Sequence, residues 1–566
     1  MRVSTEKGGS ALSHAPDHWH AVDWRRVERN VRGMQIRIAK ATREGDWRRV
    51  KALQRMLTRT LSAKLHAVRR VTQNQGARTA GVDRELWDSP ESRLAAVGRL
   101  KRRGYKPLPL RRVFIPKANG KLRPLGIPTM RDRAMQALYL LALEPVSEST
   151  SDPNSYGFRI SRSTADAMSQ LFVSLSRRTS AQWVLEADIK GCFDYINHDW
   201  LVNHVPMDKG ILRKWLKAGL IYKGQLQVTE AGTPQGGIIS PTLANVTLNG
   251  LERELIAHLG AKLGVRTVKK LKVNVVRYAD DFVITGDSKE LLENEVRPWI
   301  EAFLAQRGLQ LSEEKTRIVH IDEGFDFLGW NFRKYSGTLL IKPSKKNAQA
   351  FYRKVAETIS GNKTAKQESL ILLLNPMLRG WAQYHSPVVA KQAYSRMEHL
   401  VFQKLWRWSK RRHPNKSIDW VKQKYFHLVG DRSWVFAAPV VRDDGSEGLL
   451  ELYQISGTAI KRHKKVQGGF NPFDLEWEQY SEQLRQERMV NSMRYQRQWV
   501  TLYMTQGGLC AHCGCALTDE TGSHDHHLKY RMHGGTDALS NRVLLHPHCH
   551  RQVHVGNIAV TKLALH

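Results

Sequence analysis

Apolar positions recur at helical spacing from about residue 20 to 70, where Val31, Met34, Ile36 and Ile38 stand among arginines and lysines. Gly45 and Asp46 predict a turn, followed by a second helix containing Val50, Leu53 and Met56. From about 100 to 335 the pattern changes to short apolar runs, Gly/Pro turns and intervening helices, which predicts an α+β unit. Met135 to Leu143 is apolar but short, and Arg131, Asp132 and Arg133 flank it. Helical periodicity returns over 345 to 430, in a stretch rich in Trp, Tyr, Arg and Lys. A looser segment follows, with a turn at Asp443, Asp444 and Gly445 and a basic run at Lys461, Arg462, His463, Lys464 and Lys465. The block from about Thr501 holds ten of the 23 histidines and four of the five cysteines, which marks a boundary. The 566 residues exceed what one hydrophobic core organises, so the expected fold class is multidomain α+β.

Charge narrows the class of partner. The chain carries 89 Lys and Arg against 53 Asp and Glu, a net charge of +36. On a folded chain this points to a polyanion, with nucleic acid the obvious one; a basic surface kept for solubility is the bland alternative. No uninterrupted apolar run approaches the ~20 residues that span a bilayer, and the first residues lack the apolar core of a signal peptide. The expectation is a cytoplasmic protein with no membrane partner. Cys192 stands alone, whereas Cys510, Cys513, Cys515 and Cys549 cluster among histidines, which suggests a metal site and not a disulfide framework.

Two β-prone runs, Val273 to Val276 and Phe282 to Thr285, flank Tyr278-Ala279-Asp280-Asp281. They predict a hairpin with paired carboxylates at its tip, although a surface turn that merely suits Asp fits this tetrapeptide equally well. A second strand begins at Trp183-Val184-Leu185 and runs into Asp188-Ile189-Lys190-Gly191-Cys192-Phe193-Asp194. Phosphoryl transfer by two Mg²⁺ ions needs hard oxygen ligands from separate backbone elements, and Asp188 with Asp280 and Asp281 can supply them.

The Tyr-Ala-Asp-Asp box and its neighbours resemble, in order, the motif series of reverse transcriptases encoded by mobile group II introns. The series comprises Ile115 to Thr129, Tyr156-Gly157-Phe158-Arg159, Ser163 to Ala167, Gly232 to Pro241, Gly308 to Thr316, and Phe327-Leu328-Gly329-Trp330. The resemblance implies a right-hand polymerase of fingers and palm in which Lys117, Arg123, Ile189, Phe193 and Gln235 bind the incoming dNTP. Phe193 stands at the steric-gate position, where it would exclude a ribose 2′-OH; as an ordinary core aromatic it would carry no such role. Asp188, Ile189, Asp280 and Asp281 would hold the two Mg²⁺ ions. The family usually has Pro-Gly where Ile160-Ser161 stands. Asn375 to His385 and Arg411 to Lys416 resemble the helical thumb, or maturase, domain of the same proteins. There aromatics interleaved with cations could grip RNA, while Trp381 and Trp406 also fit as plain core residues.

Cys510-x-x-Cys513 with His546-Pro547-His548-Cys549 suits a structural Zn²⁺ held by Cys510, Cys513, His546 and Cys549, with Cys515 and His548 as competing ligands. Between them, His526-His527, Gly534-Gly535, Asn541, His550 and His554 resemble an HNH nuclease, a ββα-metal module. That template implies His527 as general base, His526, His550 and His554 around one divalent metal, and Asn541 as a brace for the loop. Asp525 is an alternative metal ligand, and Tyr530 stands where relatives often have proline. A zinc-stapled DNA-binding knob without catalysis is the simpler alternative.

The expected domains are a basic helical N-terminal extension (1–75), fingers and palm (76–340), a helical thumb or maturase domain (341–440), a DNA-binding segment (441–500) and a zinc-stapled HNH module (501–566). Such a protein would be an RNA-directed DNA polymerase that binds its parent group II intron RNA to aid splicing. It would nick double-stranded target DNA to prime copying, in a bacterial cytoplasm and at the nucleoid when acting on DNA. The rival readings are an RNA-binding splicing cofactor with inactive sites and a domesticated defence-type reverse transcriptase.

Overall fold

The basic N-terminal segment breaks twice. Helices Trp24–Arg43 and Trp47–Leu57 are separated at the expected turn, where Gly45 has φ 72°. A second break precedes helix Leu61–Thr72, whose cap Thr60 accepts from the Ala63 amide. In this computed structural model the described residues are 18–116, 122–233, 236–441, 446–493, 497–530, 533–536, 538–556 and 558–563. Lys117, Gln235 and the expected turn at Asp443 to Gly445 lie outside them. Val31, Ile38, Val50 and Leu53 are buried, whereas Met56 is exposed. The N-terminal helices pack on helix Met130–Thr150, whose Met135 to Leu143 run is buried on every side, as an all-round apolar helix should be. No helix among the described residues is long and apolar enough to cross a membrane.

Two four-stranded sheets follow. Strands β1 (Leu110–Pro116) and β2 (Leu122–Ile127) pair antiparallel, β3 (Trp183–Asp188) enters the second sheet, and β4 (Leu220–Tyr222) and β5 (Gln225–Gln227) return to the first. Strands β6 (Asn274–Tyr278), β7 (Asp281–Gly286) and β8 (Arg317–His320) complete the second, in the order β6-β7-β3-β8. Every pairing in that sheet is antiparallel, and its alternating residues feed two cores. Leu185, Ala187, Phe282 and Ile284 join the core shared with the N-terminal helices. Val184, Val276 and Val283 face a second core shared with the helices beyond residue 345.

Strands β9 (Phe325–Phe327), β10 (Trp330–Tyr335) and β11 (Thr338–Pro343) form a small meander. Its first turn is Leu328-Gly329, with φ 50° and 81°, the positive pair that a two-residue hairpin requires. Helices Lys345–Gly361, Gln367–His385, Lys391–Arg412 and Ile418–Tyr425 come next. Strands β12 (Phe426–Val429), β13 (Arg432–Val441) and β14 (Glu447–Glu451) then make an antiparallel sheet that runs across the expected boundary at 440. The β-prone run Trp434-Val435-Phe436 explains the strand, and a helical reading of this stretch overlooks it.

The basic run at 461–465 lies against helix Thr164–Leu175. The buried Asp166 of that helix accepts from the Val466 amide (2.8 Å), from His463 (2.9 Å) and from Arg488 (2.9 Å). Lys465 donates to Gln170, so His463 and Lys465 are engaged with the fold, while Lys461, Arg462 and Lys464 remain exposed, the last in a surface pair with Glu487 at 3.2 Å. At the departure site Ile160-Ser161, Ser161 takes φ 57° and supplies the left-handed turn that glycine would otherwise supply. Last comes a ββα unit, β15 (His524–His527), β16 (Arg542–Leu545) and helix Pro547–Gly556, around its own core of Leu502, Leu517, Val543, Leu545 and Val553.

Candidate active sites

The first site is built where β3 meets the β6–β7 hairpin. Asp188 and Asp281 are directly opposed in the register, and Asp280 sits in the two-residue turn closed by Tyr278 and Asp281. Directly opposed residues on antiparallel strands have Cβ atoms roughly 5 Å apart, so three carboxylates converge on one sheet end. The crowding registers in their acidity. Burial, the hydrogen bond with Asp188 and the charges of Asp280 and Asp188 raise Asp281 above the usual carboxylate range. Burial and Asp188 raise Asp280 as well, against the opposing charges of Lys315 and Arg123. Hard oxygens offered by two strands suit Mg²⁺.

The surroundings hold that turn in place. Ala279, at φ 60°, accepts at its carbonyl from the buried guanidinium of Arg277 (3.2 Å), which also reaches Asn245 Oδ1 (3.1 Å) and Asn249 Oδ1 (3.1 Å). Burial lowers Arg277 to about 10, so it stays charged at neutral pH. Gly157 passes so close that a Cβ there would overlap the Ala279 nitrogen. Asn245 Nδ2 fixes the Gly157 carbonyl at 2.8 Å. Lys315 Nζ donates to Asp188 Oδ2 at 2.7 Å, and Ser312 N donates to the Asp188 carbonyl at 2.8 Å.

Ile189 is buried and bridges to Leu311 beside the aspartates. Phe193 is half-buried, edge-on to the exposed ring of Phe158 with centroids 6.3 Å apart. The Thr233 amide donates to the Phe193 carbonyl (2.7 Å), and a Cβ on Gly232 would come within 2.6 Å of it. The glycines of this loop thus serve packing as well as open space: Gly232 against Phe193, and Gly236 (φ 108°) against the Gly126 carbonyl of β2. Arg123 is exposed on β2 and its charge acts on Asp280.

In the ββα unit, His526, His550 and His554 present ring nitrogens within 4.8 Å of one another. His526 Nδ1 is buried without a protein partner. Burial, then neighbouring histidines, lower His526 and His550 to about 4, which leaves both imidazoles neutral at pH 7 and fit to ligate a divalent ion. His527 follows on the same strand, half-buried and paired with Arg542 in register. Asn541 clasps the loop between the strands: its Oδ1 accepts from Lys529 N (2.8 Å), and its Nδ2 donates to the carbonyls of Lys529 (2.9 Å) and Thr536 (2.8 Å). Asp525 is engaged by Arg542 instead of facing the histidines.

A second cluster brings Cys510, Cys513, His546 and Cys549 within the same 4.8 Å limit. His546 Nε2 faces the Ala516 carbonyl at 3.0 Å, which leaves Nδ1 toward the sulfurs, 3.4 Å from Cys513 and 3.8 Å from Cys549. Three thiols, those of Cys510 and Cys549 buried and that of Cys513 half-buried, plus one imidazole oriented by a carbonyl are a donor set that fits Zn²⁺. Cys515 stands outside this group, and His548 Nε2 contacts Cys549 at 3.1 Å.

The chain matches the family Reverse transcriptase (RNA-dependent DNA polymerase) over residues 115–332 and the N-terminal domain of reverse transcriptase over 19–100. HNH endonuclease matches 510–556, and the group II intron, maturase-specific domain matches 348–426. Protein YkfC of Escherichia coli is 36% identical over 318 residues, 50% of this chain and 82% of that protein. The chain belongs to the group II intron-encoded reverse transcriptase–maturase family. Group II intron-encoded protein LtrA of Lactococcus lactis is 32% identical over 47% of this chain and 54% of its own, so the chain spans about half of LtrA. Maturase-like protein 1 of Euglena gracilis is 26% identical over 64% of this chain and 76% of that protein. The domain content is that of an RNA-directed DNA polymerase joined to an HNH endonuclease.

Within this family member several aromatics of the maturase-matching helices are engaged with the fold. Trp381 stacks on Phe351 (5.0 Å), and its indole N–H donates to Asn347. Trp406 packs on Phe426 and Trp434. Tyr384 stacks on Trp330 (4.7 Å) and donates to the Leu328 carbonyl (2.7 Å), tying these helices to the β9–β10 turn. Sequence reasoning assigned no part to Arg277, Asn245, Gly157 or Lys315. One signal was available: a charged Arg277 closing an apolar strand immediately before the aspartate box.

Proposed function

We propose that the chain copies RNA into DNA at Asp188, Asp280 and Asp281, nicks one strand of double-stranded target DNA at its HNH unit, and uses the exposed 3′ end to prime copying of its parent group II intron RNA, whose splicing it assists. The observation that carries this reading is the opposition of Asp188 and Asp281 with Asp280 in the adjoining turn. When bound there, two Mg²⁺ ions would supply Lewis acidity to the attacking primer oxygen and the leaving pyrophosphate. The three aspartates and Ile189 would hold those ions. Lys117 and Arg123 would meet the triphosphate, Gln235 the nucleotide, and Phe193 would crowd a ribose 2′-OH.

In the nuclease, His527 would take the proton of the attacking water while Asn541 keeps the loop fixed. His526, His550 and His554 would hold one divalent ion, which supplies charge to the scissile phosphate. Cys510, Cys513, His546 and Cys549 would hold a structural Zn²⁺. Support for RNA binding comes from a cavity of about 840 Å³ between the N-terminal helices and helix Met130–Thr150, lined by Lys51, Arg55, Arg59, Lys64, Lys101 and Arg103. The domain division follows the same reading: N-terminal extension 1–75, fingers and palm 76–340, thumb 341–440, DNA-binding segment 441–500 and nuclease 501–566, with the β12–β14 sheet joining the thumb to the segment after it.

Two variants of the full chain, assembled with its intron RNA, test the division of labour. Asp280→Ala should abolish cDNA synthesis and spare nicking of target DNA, and His527→Ala should do the reverse. Persistence of both activities in either variant would contradict the assignment.

A further inference from the structure

Two of the four C-terminal cysteines, Cys513 and Cys515, face the N-terminal helices. Cys515 belongs to the core that the N-terminal helices share with the central sheet, and Cys513 packs at its edge. The partner that meets them is Arg69, on helix Leu61–Thr72, far away in the chain. Its guanidinium donates to Cys515 Sγ at 3.5 Å and to Cys513 Sγ at 3.4 Å. Arg69 is buried, lies over the Trp24 ring (4.6 Å), and touches one carboxylate, Glu28 (3.2 Å), whose side chain is 39% exposed and so screened by solvent. Beside it Arg25 Nε donates to the Gly514 carbonyl at 3.1 Å, and Gly514, with φ 65°, has no room for a Cβ because Arg25 fills the space.

We infer that Arg69 is a positioning residue: it reads the charge of the metal-loaded Cys510–Cys513–His546–Cys549 site and thereby fixes the nuclease unit on the N-terminal helices. The inference rests on the zinc assignment proposed above. Three thiolates and one neutral imidazole around a dication leave one net negative charge. A buried guanidinium is the fitting counter-charge. Neutral thiols accept weakly, whereas a metal-bound thiolate accepts a charge-assisted hydrogen bond, so the Arg69–Cys513 contact is strong only when the site is loaded. The planar fork matters because it addresses two sulfurs at once, which an ammonium group does not do as well. Cys515 is then a docking thiol, engaged from outside the ligand set.

The test is hydrogen–deuterium exchange of the full chain, zinc-loaded and after removal of zinc by a chelator, with metal content measured separately. In the wild type, stripping should raise exchange about tenfold or more in helix Leu61–Thr72 as well as between Cys510 and Cys549, in line with loss of a hydrogen bond to a charged group. Arg69→Gln should keep about one zinc per chain and its polymerase activity, yet show the raised helix exchange already in the loaded state. Should that variant fail to fold, Arg25→Ala, at an exposed position, decides: the stripped-versus-loaded difference in the helix must shrink. An effect of stripping confined to 510–549, wild-type behaviour of Arg69→Gln, or an unchanged difference in Arg25→Ala would overturn the docking role. Absence of bound zinc from the wild type would overturn the ligand set on which it rests.

Discussion

Gly157 lacks a side chain where the backbone of the aspartate turn already occupies the space. Replacing it with alanine would push Ala279 and so displace Asp280, while the HNH unit keeps its separate core. A displacement of about 1 Å at a reacting centre costs roughly a hundredfold in rate. Gly157→Ala should therefore lower cDNA synthesis by about that factor and leave nicking of target DNA unchanged, as paired assays on one preparation would show. At this scale Asp188, Asp280 and Asp281 were legible, because metal-assisted phosphoryl transfer restricts which side chains can serve. Arg277, Gly157 and Lys315 were not. Asn245, Asn249, Ala279 and Asp188 become their partners only through the fold, and nothing local distinguishes a supporting arginine from a surface one.

Among the elements, hairpins were the most readable. The β-prone apolar runs on either side of Tyr278 to Asp281 predicted β6 and β7, and the observed register adds what such runs cannot, the facing of Asp281 by Asp188 on β3. The β12–β14 sheet escaped a reading that ended the helical thumb here and left a looser segment beyond it, because its strands derive stability from partners in the same sheet and from the adjacent helices, a non-local gain. The loop of the ββα unit shows an element held by one side chain. Asn541 makes three hydrogen bonds across it, and alanine makes none of them. Asn541→Ala should reduce nicking by roughly 10- to 100-fold, the usual effect of losing a group that orients the reacting residues. Primer extension by the same variant should match wild type; a matching loss there would mean a general folding defect.

For the whole molecule, the polymerase, maturase and nuclease segments were legible in the sequence in the order their family matches take, while the way the parts touch was not. The net charge of +36 predicts a nucleic-acid partner without saying which surface receives it. The basic run at 461–465 illustrates the limit, since His463 and Lys465 turn inward onto helix Thr164–Leu175. Two cores on opposite faces of one central sheet explain how N-terminal and C-terminal helices can both brace a single aspartate cluster. That cluster is the centre of the account, and extension of a DNA primer annealed to an RNA template tests it most directly. With dNTPs and Mg²⁺ the full chain should lengthen the primer, and Asp281→Asn should abolish that extension without loss of RNA binding. RNA bound but no primer extended by the wild type would contradict the account and leave the chain as an RNA-binding splicing cofactor.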